Sequence, residues 1–152
     1  MNFRTTKTQQ GFTIVELLIV IVVIGILAAI TIVAFNGVQN QAKTTKAQAV
    51  ASDVQKKAEA YNALNSYYPD ASTDFTGTAA LSATSKIVVG AAIPAADRET
   101  TARYDVCPAG ATGASVTGAR VSFWDFTQGS SGAMTSHTGS NPKTLTLGAG
   151  CA

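Results

Sequence analysis

The most constraining feature of this sequence is an unbroken apolar run over residues 12–35, FTIVELLIVIVVIGILAAITIVAF. It holds a single charged residue, Glu16, in 24 positions. A helix of that length rises about 36 Å, which is enough to cross a bilayer core of about 30 Å. We therefore expect residues 12–35 to span a membrane as a helix, with the remainder of the chain forming one head domain.

The charges assign the two sides of this membrane span. Arg4 and Lys7 precede the run with no acid beside them, and they account for the whole net charge of +2. Positive residues on the amino side favour a cytoplasmic N-terminus, so the head is predicted to lie outside. The rest of the chain has nine basic and nine acidic residues. Because no basic tract is present, we expect no direct nucleic-acid site.

The run differs from a secretory signal peptide in its length and in the position of its small residues. Such a signal has an apolar stretch of about 7–15 residues followed by an A-x-A cleavage site. Here the run is 24 residues long, and the nearest A-x-A, at residues 47–49, lies well past its end. The apolar helix is therefore predicted to stay in the mature protein.

Glu16 is the residue that a plain membrane anchor does not explain. One interpretation is an acid that lies close enough to the interface to reach water. The other requires a cationic partner. If the chain were cut after Gly11, Phe12 would carry a free α-amine, which is mostly protonated near neutral pH. Glu16 follows four residues later, on the same face of the helix.

The stretch from Gly11 to Glu16, GFTIVE, together with the apolar helix that follows, resembles the signal of type IV prepilins, which pseudopilins share. The resemblance is close over about residues 5–35. It implies that a membrane peptidase cuts between Gly11 and Phe12 on the cytoplasmic side and then methylates Phe12. It also implies that the helix anchors the monomer and later forms the core of a filament, with Glu16 acting in assembly and in the register of subunits.

The remaining sequence predicts an α+β fold, in which a long N-terminal helix packs on a small antiparallel sheet. The predicted layout is a leader over residues 1–11, a helix over 12–64 and a head over 65–152. Tyr68-Pro69 ends the helix, because the residue before proline is pushed out of the α region. The expected buried stripe of the helix comprises Val38, Ala42, Ala49 or Val50, Val54, Ala58, Tyr61 and Leu64. The expected strands are Lys86–Gly90, Ala102–Cys107, Ser115–Phe126 and Lys143–Leu147, with Phe123, Trp124 and Phe126 in the core.

Cys107 and Cys151 both fall on the side predicted to be exported. An even number of cysteines in an oxidising compartment favours a disulfide, and two separate thiols are the alternative. The resemblance to pilins supports the disulfide, because many pilins close a C-terminal loop in this way. Residues 108–150 would form that loop.

The sequence offers little for catalysis or metal binding. The single histidine, His137, lies in a Ser/Gly-rich stretch without a nucleophile-elbow motif. Asp70 and Asp74 could contribute to a calcium loop, but they lack the alternating ligand pattern of an EF-hand. We expect no catalytic residue, no metal site and no cofactor, and therefore no enzyme.

The resemblance implies a structural subunit of a type IV pilus that serves adhesion, motility or DNA uptake. The alternative is a pseudopilin of a type II secretion or competence system, and a more remote one is a monomeric membrane-anchored surface protein. The expected partners are further copies of the chain in a helical homopolymer, the prepilin peptidase and methyltransferase, the inner-membrane pilus assembly machinery, and the membrane around the monomer. The subunit would then move from a single-pass membrane form to an extracellular pilus.

Overall fold

The computed structural model describes residues 11–129, 132–136, 141–149 and 151, so residues 1–10 of the predicted leader and His137 lie outside the described residues. A long helix, α1, comes first and is followed by four strands. Their bounds are α1 Ile14–Asn65, β1 Lys86–Val89, β2 Thr101–Cys107, β3 Gly118–Trp124 and β4 Pro142–Gly148. The predicted α+β fold is confirmed, and each strand lies close to its predicted position.

The strands form one sheet in the order β1-β2-β3-β4. β2, β3 and β4 are antiparallel neighbours, with Tyr104 opposite Val121 and Val121 opposite Leu145. β1 instead pairs with β2 in parallel, so the prediction of an antiparallel sheet is wrong for this strand. The physical reason is the connection over residues 90–100, which is long enough to carry the chain back to the end of the sheet where β1 began. The sheet is therefore mixed.

The described chain divides into two compact units, one up to Val38 and one from Gln39 onward. α1 contributes to both and includes Gly25 and Gly37 in its helical span. In the first unit α1 is the only regular element that the described residues form. In the second unit α1 supplies one side of the hydrophobic core.

The core of the second unit lies between α1 and one face of the sheet. From the helix it takes small and β-branched side chains: Ala47, Val50, Ala51, Val54 and Ala58. From the sheet it takes Ala102, Tyr104, Ala119, Val121, Phe123 and Leu147. The predicted stripe is correct for Val50, Val54 and Ala58. It is wrong for Val38, Ala42 and Leu64, which are exposed. Val50 rather than Ala49 is the buried member of that pair, and Tyr61 is half-buried.

The opposite face of the sheet carries a second, smaller cluster. Trp124 packs there with Ile93 and Met134, and the backbones of Ile93 and Met134 form an isolated antiparallel bridge. Further along the same face, the Arg103 guanidinium makes two hydrogen bonds of 2.7 and 2.8 Å to the Asp105 carboxylate. Phe123 and Trp124 are therefore both core residues, as predicted, but they serve opposite faces because adjacent strand residues alternate.

Candidate functional site

The N-terminal turn of α1 places the predicted processing and assembly residues next to one another. Gly11, Phe12 and Thr13 precede the helix, and Glu16 lies in its first turn. The backbone at Gly11 is open, since a Cβ added there would meet nothing within 4 Å. Phe12 is 91% exposed. The junction between Gly11 and Phe12 thus lies in an accessible, non-helical stretch immediately before the helix.

Glu16 makes its described hydrogen bonds with Thr13. The Thr13 backbone N–H and hydroxyl donate to Oε2 of Glu16 at 2.9 and 2.7 Å, and the Glu16 N–H donates to the Thr13 hydroxyl at 3.3 Å. This reciprocal arrangement is a capping box, which satisfies two of the N–H groups that have no partner at a helix N-terminus. These bonds hold the Glu16 carboxylate against the first turn of α1, beside Phe12.

Thr13 is the residue that sequence reasoning missed. The signal that could have found it was present, because Thr13-x-x-Glu16 ahead of an apolar run is the spacing of a capping box. Glu16 is therefore a hydrogen-bond acceptor for its own helix as well as a charge that can pair with a cation. Both Thr13 donors bond to Oε2 of Glu16.

The apolar helix that follows has no cover within the described chain. Its large apolar side chains up to Phe35 range from 48% exposed at Val23 to 85% exposed at Ile14. α1 is also long and apolar enough to cross a membrane, judged by its length and composition. An apolar surface of this extent requires lipid or neighbouring helices around it. Together with the N-terminal signal, this surface suggests that the chain is anchored in a membrane before assembly.

The predicted disulfide is present. Cys107 at the end of β2 is bonded to Cys151, which follows β4, across a sequence separation of 44 residues. The segment between the two cysteines contains β3 and β4. The bond therefore links the end of β2 to the chain that follows β4, at one end of the sheet. Arg120 of β3 donates from Nη2 to the Cys151 carbonyl at 2.8 Å and holds the same end of the chain.

Asp70 and Asp74 cap turns of the head. Oδ2 of Asp74 accepts the N–H groups of Asp70 and Ala71, both at 3.0 Å, and Oδ2 of Asp70 accepts the Gly113 N–H at 2.7 Å. Each carboxylate therefore has a structural role. Within the part of the chain that the structure describes, no group of three or more His, Cys, Asp or Glu side chains is placed to hold a metal ion.

The comparisons with known proteins agree with the geometry of the N-terminal turn. The family model described as "Prokaryotic N-terminal methylation motif" matches residues 6–32. Type II secretion system core protein G of Escherichia coli (strain K12) is 33% identical over 66 residues, which are 43% of this chain and 46% of that protein. The chain thus matches somewhat less than half the length of this curated relative. No solved structure matches significantly.

These findings share one location. The matched motif contains the junction between Gly11 and Phe12, the capping box of Thr13 and Glu16, and most of the exposed apolar helix. The chain carries the N-terminal methylation signal that type IV pilins and pseudopilins have in common.

Proposed function

We propose that this chain is a structural, non-enzymatic subunit that is cut after Gly11, methylated on Phe12 and polymerised through the helix that begins there. The observation that carries the proposal is the exposure of the apolar side chains over residues 12–35, combined with the methylation motif over residues 6–32. In this proposal residues 1–11 are a removable leader, residues 12–64 form the helix and residues 65–152 form the head. The prepilin peptidase and methyltransferase, the inner-membrane assembly machinery and other copies of the chain are the partners.

Glu16 has a specific part in this proposal. In the precursor its carboxylate is held by Thr13. Cleavage after Gly11 would create an α-amine on Phe12, the residue next to Thr13. This amine is mostly protonated near neutral pH. In a polymer, the amine of one subunit would pair with Glu16 of its neighbour, since neither charge is stable alone among apolar helices. This pairing would set the register, while burial of the apolar side chains would supply most of the binding energy.

We further propose that the polymer is a type IV pilus used in adhesion, motility or DNA uptake. The disulfide between Cys107 and Cys151 supports this assignment, because a surface fibre benefits from a head that is covalently closed. The subunit would begin as a single-pass membrane protein with a cytoplasmic N-terminus and end in an extracellular fibre.

A pseudopilin of a type II secretion system is the second candidate. It is favoured by the similarity to the E. coli type II secretion protein, which extends over 66 residues and is thus longer than the 6–32 methylation motif. A pseudopilin would share the leader, the cut and the polymerising helix. It would differ in where the polymer is formed and in what the cell loses without it.

The experiment that tests the proposal combines a strain lacking this chain with mass spectrometry of the native subunit. Surface fibres are sheared from parent and deletion cells and examined by electron microscopy, and the secreted proteins of both strains are compared. A pilus subunit predicts loss of fibres with unchanged secretion, whereas a pseudopilin predicts loss of secreted proteins. Either role requires a mature chain that begins at methylated Phe12, and an intact Met1 start on assembled protein would contradict both.

A further inference from the structure

Four cationic side chains lie close together beside the part of α1 that begins the second unit. We define the Lys43 cluster as Lys43, Lys46, Arg98 and Lys143 with the acids Glu99 and Asp125. The Lys43 Nζ lies 5.7 Å from the centroid of the Phe126 ring, and the Arg98 guanidinium lies 5.6 Å from the same centroid. Arg98 also stacks on Trp124 at 4.3 Å. These cation–aromatic contacts restrain the positions of the Lys43 and Arg98 charges.

The acids of the Lys43 cluster neutralise it only in part. Glu99 is shared by two lysines, at 3.3 Å from Lys43 and 3.6 Å from Lys46, and Asp125 lies 3.8 Å from Lys143. The side chains of Lys43, Lys46 and Lys143 remain 43%, 54% and 54% exposed. Each ammonium has three donors, so exposed donors remain for an external acceptor.

The net positive charge of the second unit is concentrated in this cluster. Residues 39–152 contain nine basic and eight acidic residues. Asp97 lies beside Arg98 and Glu99 in the connection between β1 and β2. When the Lys43 cluster and Asp97 are left out of the count, five basic and five acidic residues remain. The rest of the unit is therefore neutral, and the cluster, counted with Asp97, carries the single excess positive charge.

The short stretch of chain between the apolar run and Lys43 limits how far Lys43 can lie from the membrane surface. Lys43 follows Phe35, the last residue of the apolar run, by eight positions. Eight residues span about 12 Å in a helix and at most about 29 Å when fully extended. The headgroup layer extends roughly 5–8 Å beyond the hydrocarbon core, and a lysine stem reaches back toward it while its ammonium stays in water.

We propose that the Lys43 cluster binds the anionic phospholipid headgroups of the membrane that holds the subunit before assembly. The chemistry is that of the exposed lysine ammonium groups donating to phosphate oxygens, while Arg98, stacked on Trp124, adds positive charge beside them. The proposal rests on the membrane anchorage in the proposed function and adds a second attachment, from the head to the lipid surface. Leaving the membrane for a polymer then requires release of these lipids.

Energy transfer from Trp124 tests this attachment, because Trp124 is the only tryptophan in the chain. The full chain is reconstituted into vesicles of phosphatidylcholine, or of phosphatidylcholine with phosphatidylglycerol, each with a trace of a neutral lipid that carries a dansyl group on its head. We expect higher transfer in the vesicles with phosphatidylglycerol. The difference should shrink when salt is raised from about 0.15 M to 1 M, where the screening length falls from about 8 to 3 Å.

The variants separate the cluster from charge in general. Lys43→Gln with Lys46→Gln should abolish the extra transfer. Lys56→Gln with Lys57→Gln changes the charge equally on the same helix, about 20 Å further along, and should leave the transfer as in the parent. Glu99→Gln removes the internal competitor and should increase the transfer, an outcome that damage to the fold would not produce.

Three results would overturn the proposal. The first is equal energy transfer in the two vesicle types for the parent chain. The second is a loss of transfer in the Lys56→Gln, Lys57→Gln variant that equals the loss in the Lys43→Gln, Lys46→Gln variant. The third is lower transfer in Glu99→Gln than in the parent. Flotation of the vesicles reports anchorage separately. A chain that floats with both vesicle types but shows equal transfer contradicts only the lipid attachment. A chain that floats with neither contradicts the anchorage and this proposal together.

Discussion

The hydroxyl of Thr44 on α1 lies 3.3 Å from Oδ1 of Asp125 at the end of β3 and donates to it, while it accepts the Phe126 N–H at 2.9 Å. A single side chain of the helix thereby satisfies two groups of a segment 81 residues away in sequence. The same Oδ1 also accepts the N–H and hydroxyl of Thr127 at 3.0 and 2.6 Å. Asp125 is buried, so these donors compensate for its removal from water.

Replacing Thr44 with valine should destabilise the head by about 1–3 kcal/mol, because a part-buried carboxylate oxygen and a backbone N–H each lose a partner. The measurement is the free energy of unfolding of the full chain in detergent. Thr45→Val is the matched control, since the Thr45 hydroxyl bonds only to the Gln41 carbonyl of its own helix in the described hydrogen bonds. Equal effects of the two substitutions would show that the link between Thr44 and Asp125 adds no stability.

Asp125 should make the head sensitive to acid. Burial would raise the pKa of Asp125, but the hydrogen bonds from Thr127 and Thr44 outweigh it and hold that pKa below its usual value. A lowered folded pKa contributes stability that is complete above the unfolded value of about 3.9 and is lost as the pH falls through the folded value. The thermal midpoint of the parent should therefore approach that of Asp125→Asn as the pH falls below about 3.9. Glu59→Gln, which removes an exposed acid of α1, controls for charge alone, and a gap to Asp125→Asn that persists in acid would contradict the expectation.

Removing the disulfide should lower the stability of the head by about 4 kcal/mol in the loop-entropy model, given a separation of 44 residues between the cysteines. Cys107→Ser with Cys151→Ser is compared with the oxidised parent by thermal unfolding, and with the reduced parent to isolate the effect of the serine hydroxyls. Fibre yield should fall in parallel. Identical midpoints for all three proteins would remove the disulfide from the account of head stability.

Gly148 should tolerate no side chain. Its φ is +65°, and an added Cβ would meet the Thr117 carbonyl oxygen and approach Cε2 of Tyr68 to 2.7 Å. Gly129 has a similar φ of +70° but open space around it. Gly129→Ala should therefore cost about 1 kcal/mol for the backbone conformation alone, and Gly148→Ala should cost clearly more. The difference between their unfolding free energies isolates the steric contribution, and a difference of zero would mean that β4 and the Thr117 segment separate without penalty.

Glu16→Ala should leave membrane insertion and cleavage after Gly11 intact but reduce incorporation into polymers. The reason is that a neighbour's α-amine would then enter the apolar helix bundle without a counter-charge. The ratio of polymer-borne to membrane-borne subunit in variant and parent cells measures this effect, with Glu59→Ala as a control for loss of an acid elsewhere on α1. If Glu16→Ala polymerises as well as the parent, the pairing with Phe12 has to be abandoned.

The apolar run, the helix and all four strands could be predicted because each depends on local composition. The run at residues 12–35 has no alternative to a membrane or a helix bundle, and the strands follow from β-branched and aromatic residues between turns. The disulfide could also be predicted, because a chain with two cysteines allows only one pairing.

Local sequence patterns could not predict the tertiary contacts. Ala42 and Ala49 match the helical period as well as Ala47 and Ala51 do, and only the position of the sheet decides which alanines are buried. The parallel pairing of β1 depends on the path of residues 90–100, which contain no strong turn signal for a hairpin. The ion pairs of Glu99 with Lys43 and Lys46 are likewise invisible in a sequence that separates them by more than fifty residues.

The ring closed by Cys107 and Cys151 also determines how the head would respond to mechanical tension. A force that enters along the helix and β2 reaches Cys107 and passes through the sulfur atoms directly to Cys151, so β3 and β4 carry no load through the chain. The 43 residues between the cysteines, 108–150, could not be extended, and their extended length is roughly 150 Å. An oxidised head would thus lengthen far less than a reduced one before the backbone bears the full pull, which makes the covalent ring a limit on extensibility as well as a contribution to stability.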